Sequence, residues 1–394
     1  MRRQSHSLKR DTRLPQVALL IETSNSYARE LLHGIRNYWR EHRSWIIYLA
    51  EKSRGQSPPP WLQEWQGDGI IARIETERIA EAVRRTKLPT VDVSAARLVP
   101  GIPWVETNDD AIARFAVEHF LERGFRHFGY YHDERFNWSK WRRDAFIQHL
   151  SAAGHACSVF SSRTRPGSNW QQEQATLSAW IATLPKPAGV LACYDNPAVE
   201  VLEACCRIGV AVPDQVAVLG VNNDDLLCDL ADPPLSSIIP NARRSGYEAA
   251  VLLDRMMSGE TVPPEPHLFE PLGVATRQST DVLAVTDPHV SKSVRLIREN
   301  ACTGTRLEDI LKQVPLSRRA LESRFRKMLG RTPHEQLLRV KIDRIKAMLM
   351  ETDLPLARIA ERNGFHHVEY MTVMFQKNVG LTPSAYREQN RMIR

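Results

Sequence analysis

The pattern of apolar residues changes near residue 280, and this change constrains the fold more than any other feature of the 394-residue sequence. Before it, short apolar segments alternate with segments of helical period. The candidate strands are residues 17–21, 45–49, 69–72, 90–93, 128–131, 189–193 and 216–221. After residue 280, every periodic segment has the spacing of a helix. The sequence therefore predicts an α/β part followed by an all-α part.

Nearly continuous apolar strands separated by helices indicate parallel sheets that are covered on both faces. The candidate helices are residues 27–42, 109–123, 139–153, 197–208 and 243–258. Residues 14–280 are too many for one ordinary doubly wound sheet and suit two similar lobes. We therefore predict a two-lobed α/β domain with crossovers at 100–103 and 236–240. Ligand sites in such sheets lie at the carboxyl ends of the strands.

Net charge is divided unevenly between the two parts. Residues 281–394 hold 21 Lys and Arg against 13 Asp and Glu, a net charge of +8, whereas residues 1–280 hold 32 against 33, a net charge of −1. This asymmetry suggests a polyanion-binding module attached to a neutral domain, although a basic helical face can also be merely solvated.

The N-terminus lacks the apolar stretch of a signal peptide, and no apolar run approaches a membrane span. We therefore expect a cytoplasmic protein without a membrane partner. The six cysteines show no CxxC pair and no metal-ligand spacing, so neither a disulfide framework nor a metal site is expected.

The all-α part begins with a helix-turn-helix pattern. A short helix ends at Pro315, and Ser317 then caps a second helix with apolar residues at 321, 325 and 329. Thr332-Pro333 opens a longer helix that runs to about residue 351, a length of about 28 Å at 1.5 Å per residue.

The helix-turn-helix pattern then recurs. Leu356, Ile359 and Ala360 mark a short helix, Gly364 marks the turn, and the stripe 370, 374 and 375 of a further helix is predicted to point inward. Two such units joined by a rigid helix can enter successive major grooves, about 34 Å apart on one face of the duplex.

Spaced motif residues mark both units. The second carries Ile359-Ala360, Gly364-Phe365, Tyr370, Phe375 and Gly380-Leu381-Thr382-Pro383-Ser384-Ala385-Tyr386-Arg387, and Gly330-Arg331-Thr332-Pro333 follows the first. With these motifs, the sequence from about residue 294 to 391 resembles the AraC family of transcription regulators, which implies binding to double-stranded promoter DNA. The residues expected to face DNA are Ser317, Arg318, Arg319, Glu322, Ser323 and Arg326 in the first unit and His366, His367, Glu369 and Thr372 in the second.

The second unit departs from that family at Met371, where Phe is usual, and at Val373, where Arg is common. We therefore expect it to act more through phosphate contacts and DNA shape. Arg318 and Arg319 of the first unit are the candidates for base reading, because arginine pairs bidentately with guanine. For any single charged residue, solvation of a helical surface is the competing interpretation.

Motifs also mark the α/β part, namely Val216-Ala217-Val218-Leu219-Gly220-Val221-Asn222-Asn223-Asp224, Leu235-Ser236-Ser237-Ile238 and Gly246-Tyr247-Glu248-Ala249-Ala250. Over residues 15–280 the sequence resembles the sensor domains of the LacI/GalR family, whose fold is like that of periplasmic sugar-binding proteins. Ser26-Tyr27-Ala28-Arg29-Glu30 and Thr286-Asp287-Pro288 add a similarity to bacterial regulators of pentose operons. This similarity implies D-xylose or a similar pentose as effector and a role as an activator.

The resemblance implies that the effector is bound by Tyr27, Arg29, Trp138, Trp141, Arg142, Asp195 and Asn222. Sugar hydroxyls need charged or amide partners. Structural roles compete with this interpretation: Asp195 can cap a helix, Arg142 can form an internal ion pair, Tyr27 can start a helix, and one tryptophan can simply pack. Asn222 stands where sensors of this fold commonly have Asp, which leaves the identity of the sugar open.

The leading hypothesis is a sugar-responsive, DNA-binding transcription regulator that is not an enzyme and needs no cofactor. Its predicted parts are an effector domain over 14–280, a linker over 281–288 and a DNA-binding domain over 289–394. A homodimer and a contact with RNA polymerase are also expected. The alternatives are a sugar-active enzyme, for which we find no GxGxxG, P-loop, GxSxG or HExxH motif, and a repressor or regulator that responds to a different small sugar.

Overall fold

The computed structural model describes residues 13–42, 45–51, 53–54, 56–162, 170–281, 287–301 and 307–391. Its strands are β1 (Gln16–Leu20), β2 (Ile46–Leu49), β3 (Gly69–Ala72), β4 (Thr90–Asp92), β5 (Trp104–Thr107), β6 (His127–Asp133), β7 (Cys157–Ser162), β8 (Ala188–Ala192), β9 (Val216–Val221), β10 (Ser236–Ile239), β11 (Pro266–Phe269) and β12 (Gly273–Ala275). Its helices are α1 (Ser26–His42), α2 (Glu77–Thr86), α3 (Asp109–Glu122), α4 (Asn137–Ala152), α5 (Trp170–Thr183), α6 (Asp195–Arg207), α7 (Asp225–Leu230), α8 (Ala242–Met257), α9 (Pro288–Asn300), α10 (Leu307–Leu311), α11 (Arg318–Leu329), α12 (Pro333–Glu351), α13 (Leu356–Arg362), α14 (Val368–Val379) and α15 (Pro383–Arg391).

The chain divides into two compact units. The first unit comprises Met1–Glu106 and Ser245–Leu268. Its sheet has the order β11-β5-β4-β3-β1-β2, and β1 pairs in parallel with both β2 and β3. Ala18, Ile70 and Ile71 in the middle strands are fully buried, because the sheet is covered on both faces. Gly246 on α8 meets the carbonyl of Leu31 on α1 so closely that a Cβ atom would come within 2.0 Å of the oxygen.

The second unit comprises Thr107–Arg244 and Phe269–Arg394. Its sheet has the order β12-β10-β9-β8-β6-β7. Among the strand pairs that the structure describes in this sheet, β12 pairs antiparallel with β10 and the other pairs are parallel. Helix α3 packs against this sheet at Gly189, where a Cβ atom would come within 2.6 Å of the ring of Phe120. Glycine at that position therefore permits the close approach of α3.

The seven candidate strands all occur, with ends shifted by no more than a few residues, but strands β5, β7, β10, β11 and β12 are missing from the prediction. The chain passes between the units after Glu106, Arg244 and Leu268, so the predicted crossovers at 100–103 and 236–240 are misplaced. Residues 236–239 form strand β10 instead. Ser236 and Ser237 are fully buried there with bonded hydroxyls, so their polarity conceals a buried strand.

The helical part, within the second unit, has two apolar clusters that share α12. One gathers residues of α9, α10 and α11 with Leu337, and the other gathers residues of α13 and α14 with Ile342, Ile345 and Leu349. The predicted start of α12 at Thr332-Pro333 is confirmed, since Thr332 is the N-cap and forms a reciprocal capping box with Glu335. Helix α9 begins at Pro288, one residue inside the predicted linker, and linker residues 282–286 lie outside the described residues.

The predicted inward-facing stripe of α14 is wrong at one position. Tyr370 is 59% exposed, and Met371 is fully buried in its place beside Phe375. The error arises because two sets of residues fit the helical spacing, namely 370, 374 and 375, and 371 and 375. Tertiary packing buries Met371 with Phe375 and leaves Tyr370 exposed. In the part of the chain that is described, no helix is long and apolar enough to cross a membrane, and no cluster of three or more His, Cys, Asp or Glu could hold a metal ion.

Candidate nucleic-acid interface and effector site

The first helix-turn-helix unit consists of α10 and α11, with α11 presenting its polar face to solvent. Ser317 accepts a hydrogen bond from the backbone N–H of Ala320, so its hydroxyl serves as the N-cap. Leu321 and Phe325 are fully buried on the opposite side. Of the predicted contact residues, Arg318, Arg319, Ser323 and Arg326 are exposed and Glu322 is partly exposed.

The two candidate base-reading arginines have different environments. Arg318 Nε donates to Glu322 Oε1 at 3.0 Å, and its guanidinium also lies 3.5 Å from Glu308 Oε1. Arg319 is exposed, and none of the described residues forms an ion pair or hydrogen bond with its side chain. Arg319 is therefore available to a new acceptor without breaking an internal pair, and Arg318 is not.

The second unit consists of α13 and α14 and has a different surface. His366, His367 and Glu369 are exposed, as predicted for residues that face outward. Thr372 is partly buried, and its hydroxyl donates to the carbonyl of Val368 at 2.9 Å. The turn is held by Asn363, which is fully buried and donates to the carbonyl of Ile359 at 2.7 Å. Val373 is exposed on the outer face of α14.

In the α/β part of the second unit, Arg142 lies at the carboxyl ends of the strands. Its Nε and Nη2 donate to Asp109 Oδ1 at 2.9 and 2.7 Å, and its Nη1 donates to the carbonyl of Cys193. Its guanidinium also lies over the ring of Trp138, 5.3 Å from the centroid. Arg142 is therefore buried in an internal ion pair with Asp109, which is the structural role that competes with ligand binding.

Asp195 follows β8 and is nearly fully buried at the start of α6. Its Oδ1 accepts from Ser237 Oγ at 2.6 Å, and its Oδ2 accepts from the N–H of Asp224 at 2.9 Å. Burial raises the pKa of Asp195 to about 7, against the effect of these two hydrogen bonds. Gly220 permits this placement, since a Cβ there would come within 2.3 Å of Asp195 Oδ1.

Asn222 follows β9 and has φ 113°, a region that L side chains rarely adopt and that Asn tolerates better than most. Its backbone N–H donates to the carbonyl of Ile238 at 3.0 Å. Asp is enriched in such conformations along with Asn, so the backbone alone does not explain Asn at a position where related sensors commonly have Asp. The Asp195 hydrogen bonds order the same loop, because they hold Asp224 two residues further on.

The two candidate tryptophans differ in burial. Trp138 is buried, stacks on Phe136 at 5.0 Å and meets Tyr194 edge-on at 5.7 Å. Trp141 is exposed, with Lys140 Nζ 5.2 Å from its ring centroid. Trp138 therefore belongs to an aromatic cluster beside Arg142, and Trp141 lies at the surface of α4.

In the first unit, Tyr27 and Arg29 lie at the start of α1, after β1. Tyr27 is partly buried with the guanidinium of Arg73 5.1 Å from its ring centroid. Arg29 is exposed and donates to the carbonyl of Thr23 at 3.2 Å. Asn25 positions this turn, since it accepts from the N–H of Ala28 and donates to Glu22.

Sequence reasoning missed a buried ionic group at the carboxyl ends of β1 and β3. Arg73 pairs with Glu22 and, at 2.9 Å, with Glu75, and Arg54 donates to Glu75 at 2.8 and 3.0 Å. Glu22, Arg73 and Glu75 line a pocket in the first unit together with Ser53 and Gln56. The signal was available, since Glu22 and Arg73 each come directly after an apolar strand, where ligand groups are expected.

Comparison with known proteins places these features in a family. Residues 16–110 match the model of the XylR N-terminal domain, residues 117–280 match a periplasmic binding protein-like domain, and residues 310–389 match a helix-turn-helix domain. The xylose operon regulatory protein of Escherichia coli strain K12 is 30% identical over 387 residues, which cover 96% of this chain and 98% of that protein. The chain belongs to the family of xylose operon regulatory proteins.

Other members support the same assignment. The xylose operon regulatory protein of Haemophilus influenzae is 30% identical over 94% of this chain and 98% of its own length. A solved structure described as a xylose-binding transcription activator is 29% identical, covers 96% of this chain and 99% of its own, and has a TM-score of 0.63. The predicted fold class is confirmed, and the chain is a DNA-binding transcription regulator. The relatives are named as regulators, which removes the support for a sugar-active enzyme.

Within the second unit, the C-terminal end of α3 meets the helical part. Glu122, the last residue of α3, pairs with Arg339 on α12 and lies 3.7 Å from Arg331. Arg126 donates to the carbonyl of Met328, in the last turn of α11, at 3.2 Å. Burial raises the pKa of Glu122 above its ordinary value, and the guanidinium groups of Arg339 and Arg331 act in the opposite direction.

The same end of α3 also holds the last residues before the linker. Arg123 Nε donates to the carbonyl of Thr280 at 2.9 Å, and His119 Nε2 lies 2.8 Å from Thr280 Oγ1. At the C-terminal end of the linker, Asp287 caps α9 and pairs with Arg324 of α11 at 2.8 Å. The residue before the linker is thus held by α3, and the end of the linker is held by α11.

Proposed function

We propose that the chain is a cytoplasmic activator of pentose catabolism genes that binds D-xylose, or a similar pentose, and promoter DNA. In this proposal residues 14–280 form the effector domain, 281–288 the linker and 289–394 the DNA-binding domain. The observation that carries the proposal is the near-complete match in length to relatives named for the xylose operon, together with Arg142 held at the strand ends. Sugar hydroxyls both donate and accept hydrogen bonds, and charged side chains such as Arg142 form the stronger of these bonds.

The groups proposed to meet the sugar differ in how much of their hydrogen-bonding capacity is already used. Asp195 has both oxygens occupied by internal donors and a carboxylate accepts further hydrogen bonds, so it both orders its loop and remains a candidate contact. Tyr27, Trp138 and Asn222 are proposed contacts, and the exposed Arg29 and Trp141 are proposed to act at the rim. We add Arg73 to the candidates, because its Nε is buried and no acceptor for it lies among the described residues.

Helix α3 is proposed to carry the effector signal to the DNA-binding domain. Its first residue, Asp109, holds Arg142, and its last residue, Glu122, holds Arg331 and Arg339. The two ends are about 20 Å apart at 1.5 Å per residue. A shift of Asp109 on sugar binding would move Glu122 with it, because an unbroken helix moves as a rigid body. The sugar would then change the population of DNA-binding arrangements through its differential affinity for them.

A negative side chain at the C-terminal end of a helix is unfavourable, because the partial charge of the helix end is also negative. Glu122 occupies this position on α3 and is only 13% exposed. The cost of its charge is offset only in part by the two arginines of the DNA-binding domain and by Arg123, because burial still raises the pKa of Glu122 overall. This arrangement supports a role for Glu122 in coupling, since an uncharged residue at the end of α3 would avoid the unfavourable interaction with the helix dipole.

Homodimer formation and contact with RNA polymerase are further parts of the proposal. They rest on the resemblance to LacI-like sensors, which usually pair, and on the proposed role as an activator. Analytical ultracentrifugation of the full chain with and without D-xylose checks the dimer. A sedimentation profile of monomer alone at micromolar concentration would remove this part and leave the sugar and DNA claims standing.

The sugar claim is tested by isothermal titration calorimetry of the full-length chain with D-xylose, D-ribose, L-arabinose and D-glucose. We expect saturable binding of a pentose, with D-xylose preferred. A reporter gene under a promoter that the protein binds separates activation from repression by the sign of its response to the sugar. Heat signals no larger than dilution for all four sugars at millimolar concentration would overturn the proposed effector class.

A further inference from the structure

Helices α11 and α14 are equivalent residue by residue at an offset of 50. Each spans 12 residues and ends at a glycine with positive φ, Gly330 at 70° and Gly380 at 82°. The buried pair Leu321 and Phe325 of α11 corresponds to Met371 and Phe375 of α14. Each position on one helix can therefore be compared with a single position on the other.

The position that points directly away from the core differs in chemistry between the two helices. At 100° per residue, position 373 lies about 160° from both 371 and 375, so Val373 is at the outermost line of α14. It is 63% exposed, whereas its counterpart in α11 is the polar Ser323. An apolar side chain at this position gains nothing from the internal core of the unit.

The neighbours of Val373 on the outer face have also lost positive charge relative to α11. Glu369 corresponds to Arg319, and Gln376 corresponds to Arg326. Both are exposed, and Lys377 retains the charge of Lys327. The outer face of α14 therefore has one cation where that of α11 has three, with Val373 at its centre.

The major groove offers one apolar group to such a side chain, the C5-methyl group of thymine. We propose that Val373 reads thymine through this methyl group and that the two units bind half-sites of unlike sequence. In this arrangement Arg319 selects guanine in one half-site, and Val373 selects a T·A pair in the other. The inference rests on the proposed entry of α14 into the major groove. Residues 281–394 as a whole carry a net charge of +8, and Lys377 remains exposed beside Val373, which favours DNA over an apolar protein surface as the partner of α14.

The test begins with duplexes that the full-length protein selects from a random pool. Each thymine of the second half-site is then replaced singly by uracil, which removes only the methyl group. We expect the affinity to fall about fourfold at one position, the change that corresponds to one buried methyl-sized group at about 0.8 kcal/mol. The Val373→Ala variant, which removes two methyl groups, should lose most of the difference between the thymine and uracil duplexes, and Ser323→Ala should retain it.

Several results would overturn the inference. Affinity that is unchanged by every uracil substitution would do so, and so would a thymine preference that Val373→Ala keeps in full. A change in sedimentation of Val373→Ala without loss of the methyl effect would assign Val373 to a contact between copies of the chain. Failure to select any duplex would overturn the proposed DNA binding as well. Failure of the thymine-reading inference alone is recognised because duplexes are still selected.

Discussion

Replacing Glu122 with glutamine removes one negative charge at the end of α3 and keeps the shape of the side chain. The charge lies between Arg331, which is 17% exposed, and Arg339, which is 42% exposed. Breaking a fully buried pair costs about 3–5 kcal/mol, and breaking an exposed pair costs about 0–1 kcal/mol. We therefore expect an intermediate effect of about 1–2 kcal/mol. If this contact transmits the signal, that energy is lost from the coupling between sugar and DNA, a change of about 5- to 30-fold.

The assay is fluorescence anisotropy of a selected duplex with the full-length protein, at zero and at saturating D-xylose. The ratio of the two dissociation constants reports the coupling, and calorimetry of the sugar alone checks that the effector site is intact. Glu118→Gln is the matched control, because Glu118 lies one turn earlier on α3, is exposed and pairs only with Arg114 among the ion pairs described, at 3.6 Å. If Glu122→Gln and Glu118→Gln both keep the wild-type ratio, Glu122 does not transmit the signal.

Three further predictions concern single sites. Arg142→Lys, which cannot keep both donors to Asp109, should weaken D-xylose binding at least about tenfold in calorimetry, and unchanged affinity would remove Arg142 from the effector site. Arg319→Ala should relax the guanine preference of the selected DNA and cost about 1–3 kcal/mol of binding free energy. Arg318→Ala should cost less, because Glu322 already occupies the side chain of Arg318, and the reverse order would contradict the assignment. Burial raises the pKa of Asp92 to about 8, so ionisation of this carboxyl destabilises the fold as pH rises from about 4 to 8. Asp92→Asn should therefore raise the melting temperature more at about pH 9 than at about pH 5. An equal gain at both pH values would show that the carboxyl is already ionised in the fold at about pH 5.

The sequence predicts most elements of the fold because their apolar patterns are dictated by burial on both faces of a sheet or on one face of a helix. Strand β10 escaped prediction because Ser236 and Ser237 are buried through hydrogen bonds that come from distant parts of the chain. Tyr370 was misplaced because two overlapping stripes fit the same helical period, and packing against α12 and α13 decides between them.

In the candidate sites, too, local patterns predict some features and tertiary contacts decide the others. The exposure of α11 and α14 follows from local periodicity, and family motifs add the DNA-facing positions. The partners of Arg142, by contrast, come from residues 109 and 193, and no local pattern connects positions so far apart in sequence. The pairing of Glu122 with Arg331 and Arg339 is likewise a tertiary contact, invisible until α3 and α12 are seen together.

In the proposed function, one chain couples a pentose to DNA binding. This coupling is measured as the affinity of the full-length protein for a selected duplex across a titration of D-xylose, with D-glucose as the comparison. We expect a change in affinity of at least about fivefold that saturates with D-xylose, is absent with D-glucose and is lost in Arg142→Lys. Equal affinity for the duplex at every D-xylose concentration, from a protein that binds both ligands, would contradict it.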